Sequence, residues 1–347
     1  MTTALLHESD DEPISTAERW SRFLGGGWIF LLLIALIIVF ATLRPTQFAS
    51  SFNLSMLAVN AAILLVLSVG QTFVIIAAGV DLSVGTVLVF ASITSALVML
   101  RMSGASGTVY GTTEGGWGVV AVGLIVALAS GAFWGVVNGV LVAVARIPAL
   151  IVTLGTFGMA LGFAQLLTNG TDVRAVPETL VDNIGSGAIA GIPILVVIAA
   201  VVAVVGGVVL HLTRFGLHVF AVGSDKEAAR RAGINVRRRL IAIYTLSGML
   251  AGLAAMMATA RFATTTIGGH AMDNLSTISA VVLGGTSLFG GIGSIAGTVV
   301  GVFIPIVLLN GFVILGIPPF WQTVATGAVL ILAVWVDQLK RRARERG

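Results

Sequence analysis

The sequence predicts an all-α membrane protein that crosses the bilayer about ten times, and three observations carry that prediction. Of its 347 residues 57% are hydrophobic and only 10% charged, with a mean hydropathy of +1.06, whereas soluble domains are about a quarter charged. Apolar runs long enough to cross the hydrocarbon layer recur from one end to the other,. The ~10-residue alternating segments of a transmembrane barrel are missing. Helices satisfy their own backbone in lipid, so they are the economical choice.

The elements follow in order. Residues 1–22 are polar and acidic, without the charged-then-apolar layout of a cleavable leader, and are expected to be a cytosolic tail,. A transmembrane unit is expected over 23–339, with spans at 23–43, 54–79, 82–102, 117–144, 149–168, 191–212, 240–261, 275–289, 292–316 and 319–337. The run from 275 is short enough to be a broken or re-entrant piece. A basic tail, 340–347, closes the chain.

Charge tests this count. Basic residues mark the cytoplasmic side. They gather in the loop 213–239 (Arg214, Lys226, Arg230, Arg231 and Arg237 to Arg239) and in the tail (Lys340, Arg341, Arg342, Arg344 and Arg346), with Arg19 and Arg22 before the first span. Six spans before that loop and four after place all three regions inside. The loop 169–190 carries Asp172, Glu178 and Asp182 against Arg174, as an outside loop does. The sequence pI near 10.3 is therefore read as topology, not as a nucleic-acid surface.

The 43 glycines lie mainly within spans, in "SGAFWGVVNG", "SGMLAGLAA" and "GGTSLFGGIGSIAGTVVG". Small residues let helix backbones approach closely in lipid, so close packing is the first reading of each. Two segments, from Ile75 and from Val282, share a layout of apolar run, polar turn, glycine and new apolar run, and broken helices in corresponding halves often mark a pathway.

Several chemistries are excluded. The chain has no cysteine, hence no disulfide or thiolate metal site. Its only lysines are Lys226 and Lys340, neither in a Gly-x-x-x-x-Gly-Lys loop, so it carries no phosphate loop for ATP. The histidines, His7, His211, His218 and His270, have no metal-ligand spacing, and no Gly-x-Ser-x-Gly elbow appears. No metal, cofactor or catalytic residue is expected.

Asp81, at the break between the second and third spans, is the notable ionisable group at membrane depth. It reads either as a functional charge or as the cap of the following helix. Asn60, Gln71, Ser83, Asn138, Thr153, Ser279 and Asn310 read either as interhelical hydrogen bonds or as the lining of a path.

The stretch "FAVGSDKEAARRAGINVRRR" from Phe220 is a charged island between oily runs. Ala228 and Ala229 favour a short, smooth-faced helix over 223–235. Asp225 and Glu227 suit its positive end, and Gly233 can terminate it in a left-handed cap. Its arginines could pair with a partner's acids or with lipid. Alone, the island could also be an amphipathic surface helix that only fixes topology.

Taken together, "AAGVDLSVGTVL", "NGVLVAVARIPALIVTLGT", "TRFGLHVFAVGSDKEAARRAGINV", "YTLSGMLAGLAA", "AVVLGGTSLFGGIGSIAGTVVG" and "LNGFVILGIPPFWQTVATGAVLILAVWVD" resemble the ribose/xylose/arabinose-type sugar permeases of bacterial ABC importers, from about residue 50 to 340. The resemblance implies a ten-helix permease in the bacterial inner membrane that pairs with a second copy or a paralogue. It further implies a separate ATPase with two nucleotide-binding domains and an extracytoplasmic solute-binding protein as partners. Gly223, Asp225, Glu227, Ala228, Ala229 and Gly233 then form the helix that couples to the ATPase. The chain departs from the family at Asn274 and Ser276, where relatives often carry carboxylates, and at Leu161-Gly162, where many carry Arg-Gly; Asp273 next to Asn274 is a possible substitute. Asn274 thereby joins the path candidates. Competing readings are a branched-chain amino-acid permease of the same superfamily, an ion-coupled carrier, which would need more intramembrane charge than Asp81, and a membrane scaffold.

Overall fold

The computed structural model describes residues 16–104, 111–270, 273–318 and, in the last stretch, 320–322, 324, 325, 327, 328, 331, 332, 334, 335 and 338; side chains before Ile29 are outside that description. Of the expected tails, 1–22 and 340–347, residues 1–15 and 340–347 fall outside it, whereas 16–22 are helical and begin the first helix; the described residues from 320 onward are helical. In chain order the helices are α1 (Thr16–Leu43), α2 (Pro45–Phe48), α3 (Ser51–Ile76), α4 (Val84–Met102), α5 (Trp117–Ala143), α6 (Ala149–Thr168), α7 (Glu178–Leu180), α8 (Ile194–Leu212), α9 (Arg214–Ser224), α10 (Lys226–Arg231), α11 (Val236–Phe262), α12 (Asp273–Leu283) and α13 (Ile295–Ile314). A π-turn covers Val181–Gly185. Two minimal ladders sit in the loops: parallel β1 (Gly111–Thr113) with β2 (Ala175–Pro177), and the hairpin β3 (Ala188–Ile189) with β4 (Ile192–Pro193).

Among the described residues seven helices, α3, α4, α5, α6, α8, α11 and α13, are long and apolar enough to cross a membrane, with a shorter apolar stretch at Ile29–Leu43 of α1. This is a polytopic helical membrane protein. The run expected at 275–289 departs from a span. α12 stops after 11 residues, about 16 Å at 1.5 Å per residue, roughly half the hydrocarbon thickness. Gly284 and Gly285 stop it, the latter at φ +87°, and the chain folds back as α13.

α3 is the axis of the molecule. It is apolar on all sides, its residues from Ala61 to Ile76 are buried without exception, and α11, α8, α13 and α12 pack around it. α5 and α11 meet along an antiparallel seam of small residues. A methyl group at Gly131 would strike the Gly248 carbonyl, at Gly135 the Tyr244 carbonyl, and at Gly252 the Ala127 carbonyl. The same device joins α12 to α13, where Gly301 lies on the Ala280 carbonyl and Gly297 on that of Gly284. Here the glycines do what small residues do in lipid. On α6 the outcome differs: Gly155, Gly158 and Gly162 face open space, and Leu150, Ile151 and Leu154 beside them are exposed. α8 likewise turns Val201, Val204 and Val205 outward, which gives the bundle an apolar perimeter.

Candidate functional site

The charged island folds as two short helices at nearly one point, not as the single helix expected over 223–235. α9 ends at Ser224 because Asp225 is extended, at φ −157° and ψ 111°. Its carboxylate then accepts from the backbone N–H groups of Glu227 at 2.7 Å and Ala228 at 3.0 Å, which starts α10,. The far end closes as a glycine cap. Gly233 sits at φ +82°, its N–H bonds the Arg230 carbonyl at 3.0 Å, and the Ile234 N–H bonds that of Ala229 at 3.0 Å,. Glu227 pairs with Arg230 at 3.1 Å and lies 3.8 Å from Arg231; both pairs are exposed and add little. Ala229 is buried, while Glu227, Ala228, Arg231 and Ala232 face outward. One alanine anchors the helix and the other presents a smooth face.

The two N–H donors from Ala228 and Glu227 hold the Asp225 carboxyl below its ordinary range,. A lowered carboxylate contributes stability above its unfolded pKa and loses it as pH falls through the folded value. Amide exchange of residues 226–231, corrected for its intrinsic rate, is therefore expected to be unchanged from about pH 8 to 5 and to accelerate only below the ordinary carboxylate range, near 4. Asp225→Ala should bring that loss of protection to neutral pH, and equal protection in the variant would remove Asp225 as the cap.

The island is seated on the two broken segments. Gly223 lies so close to the Ile76 carbonyl that a methyl group there would overlap it, and would stand 2.7 Å from the Gly291 nitrogen. The Gly291 N–H donates to that same Ile76 carbonyl at 2.8 Å. Gly290, at φ +86°, rests on the Ala78 backbone, and Gly291 on Ser224. The end of α3, the end of α9 and the turn between α12 and α13 thus meet through backbone atoms. The two segments that share a layout in sequence touch at their breaks. Sequence reading missed Ile76, Gly290 and Gly291 as site residues; the glycine pair in "SLFGGIG" was the available signal.

Five residues beyond Ile76 the break carries its polar cluster. Asp81, fully enclosed, accepts from the Ser83 N–H at 2.9 Å and the Ser83 hydroxyl at 2.6 Å, so it forms the turn into α4. Asn138 of α5 donates to the Ser83 oxygen at 2.9 Å, and Thr156 of α6 donates to Asn138 at 2.7 Å. Thr153 and Tyr244 both reach the Val80 carbonyl, at 3.4 Å, and Asn274 donates to the Leu82 carbonyl at 3.0 Å. An ionised carboxylate could not make that last bond, which accounts physically for an amide at 274. Asp273 does not stand in for it: it pairs with His270 at 2.7 Å. Of the path candidates, the structure gathers Asp81, Ser83, Asn138, Thr153 and Asn274, and adds Tyr244 and Thr156.

It leaves the others elsewhere. Asn310 exchanges amide bonds with Asn53 at 2.8 and 3.2 Å. Asn60 accepts from Arg261 at 3.0 Å, beside a cavity of about 440 Å³ lined by Ser55 and Ser186. Ser279 turns back to the Leu275 carbonyl of its own helix at 2.7 Å. Gln71 is buried with neither amide atom partnered among the described residues.

Asn138 is the keystone of the cluster. Asn138→Ala removes the two bonds that tie Ser83 and Thr156 to α5, while the Ser83 hydroxyl keeps Asp81 and the Thr156 hydroxyl keeps the Val152 and Thr153 carbonyls; each lost bond is worth about 0.5–1.5 kcal/mol. The purified protein should melt several degrees lower, and an unshifted transition would show that the bonds across α4, α5 and α6 carry no stability.

The class is thereby defined: a many-span helical membrane subunit in which a short capped helix outside the bundle follows directly on one whose end is joined, backbone to backbone, to the breaks of two interrupted helices. Residues 53–334 match the model of the branched-chain amino acid transport system / permease component family, and the chain belongs to that family. It is 34% identical to the ribose import permease of Escherichia coli K12 over 332 residues, 92% of this chain and 97% of that protein. It is 34% identical to the fructose import permease of Rhizobium meliloti over 319 residues, 90% and 85% of the two chains. Against the xylose transport system permease of Haemophilus influenzae the figure is 29% over 378 residues, 90% and 97%. No solved structure matches.

Proposed function

We propose that this chain is the permease subunit of a bacterial ABC importer for a monosaccharide or related polyol, working in the inner membrane with its termini in the cytosol. The carrying observation is the seating of the end of α9 on Ile76 and Gly291, which ties α10, the helix that follows it directly, to both broken segments. In this reading α10 is gripped by a separate ATPase with two nucleotide-binding domains. A solute-binding protein delivers cargo from outside, and a second permease copy or a paralogue completes the path. ATP-driven closure moves α10, and the shared Ile76 carbonyl passes that motion to the break that holds Asp81. No residue of the chain hydrolyses ATP; its own residues supply the path and the lever.

A second cargo, a branched-chain amino acid, is favoured only by the wording of the family description. The sugar names of the similar permeases, ribose, fructose and xylose, support the first reading. The test is reconstitution in liposomes with the ATPase and the binding protein. Sugar uptake should require ATP and both partners, and should be absent under an ion gradient alone. Uptake driven by the gradient would make the chain a secondary carrier.

A further inference from the structure

A cavity of about 750 Å³ opens beside α10, and its walls are basic. Arg146, Lys226, Arg230 and Arg237 line it, with no acidic residue among the lining side chains. Glu227 engages Arg230 at 3.1 Å; Arg146, Lys226 and Arg237 have no acidic partner among the described residues. Arg146 is held at φ +58°, a left-handed conformation that a residue with a Cβ adopts at a cost. The first turn of α11, with its positive dipole end, borders the same space,. The floor is the break itself: Ala77, Ala78 and Gly79, with Tyr244 beside them. Gly79 has no side chain where a methyl group would stand 2.7 Å from the Tyr244 hydroxyl.

We infer that this cavity receives an acidic side chain, Asp or Glu, carried on the ATPase. The inference rests on the reading of α10 as the coupling helix and extends it. Two observations select this occupant. The wall formed by Lys226, Arg230 and Gly233 belongs to α10 and its closing cap, so whatever grips the exposed face of α10 also covers the mouth of the cavity. The charge is complementary, since a carboxylate placed there meets three unengaged cations and a helix N-terminus. Such a side chain would stand on Ala77–Gly79, two residues from Asp81, and would give the ATPase a second contact with the break, independent of Gly223.

The test measures the affinity of the intact permease for its ATPase in bilayers of zwitterionic lipid, at several salt concentrations. Arg146→Glu and Arg237→Glu are each expected to weaken association tenfold or more and to flatten its salt dependence. Arg44→Glu, the same charge change at the opposite end of α3, should leave both unchanged. If a reversal does not fold, Arg237→Gln, at an exposed position, gives the same readout with a smaller change. Wild-type affinity and salt slope in the cavity variants, with binding lost in Gly233→Val, would overturn the inference and leave the coupling reading intact. Wild-type binding in Gly233→Val as well would sink both. An effect of the cavity variants seen only in anionic bilayers, with ATPase affinity unchanged, would assign the cavity to a lipid headgroup and overturn the proposal.

Discussion

Gly223→Ala is expected to abolish uptake in cells while the protein still reaches the membrane. The added methyl group meets the Ile76 carbonyl and the Gly291 nitrogen, and neither obstacle is a side chain that can swing aside. Inserting a carbon into so tight a contact costs about 1–3 kcal/mol and is relieved by moving backbone. The relief separates α9 from the end of α3 or breaks the 2.8 Å bond from Gly291 to Ile76, and either movement uncouples α10 from both breaks. Gly118→Ala, in the exposed first turn of α5 where nothing lies within 4 Å, is the matched control and should transport normally. Wild-type uptake in Gly223→Ala would show that motion reaches the bundle by another route.

Nearly as large an effect is expected at α10 itself, without distortion of the bundle. Gly233→Val forces a β-branched residue into φ +82°, where even an unbranched side chain costs about 1–2 kcal/mol. It loosens the cap that closes α10 and directs its exposed face. Glu227→Arg acts differently. It replaces the acid facing Arg230 and Arg231 with a third cation, and like charges one turn apart repel. Both positions are exposed, so insertion and thermal stability should stay close to wild type while ATP-dependent uptake falls below about a hundredth, the effect of roughly 3 kcal/mol lost from the coupled state. ATPase activity that no longer responds to the binding protein would mark the defect as uncoupling. Uptake at the wild-type rate in both variants would remove α10 from the transport cycle.

How far the sequence foretold this arrangement depends on whether the cause was local. α6 was legible at both ends, 149–168, because Pro148 starts it and Asn169, in a left-handed conformation, stops it. α5 was legible to within one residue. The interruption after the second span was legible only at its centre, 80–81, where Asp81 stands; its full extent, 77–83, was not, because the apolar residues 77–80 continue the hydropathy of α3 after its helix has ended. α12 read as a longer run because hydropathy does not register that Gly285 turns the chain. The island read as one helix because an extended Asp225 leaves the composition unchanged.

The site was harder to read for a different reason. A polar residue type shows that a partner is needed but not which face of the bundle supplies it. Asn310 therefore found Asn53, 257 positions away, rather than the cluster at the break. The coupling junction was hidden most completely. Its central atom is the Ile76 carbonyl, which every residue possesses, and only the glycines at 223, 290 and 291 betray that backbones meet there.

The most direct measurement uses the absence of cysteine from the native chain. A single cysteine placed at Ala232, the exposed residue that caps the end of α10, can be cross-linked in the assembled complex from a known side of the membrane. We expect it to join the ATPase subunit, to be reached only by reagents admitted to the cytosol, and to change its cross-linking yield when ATP is bound. A cysteine labelled from outside the cell, or one that never captures the ATPase while the complex transports, would contradict the claim that this helix is where the permease receives its work.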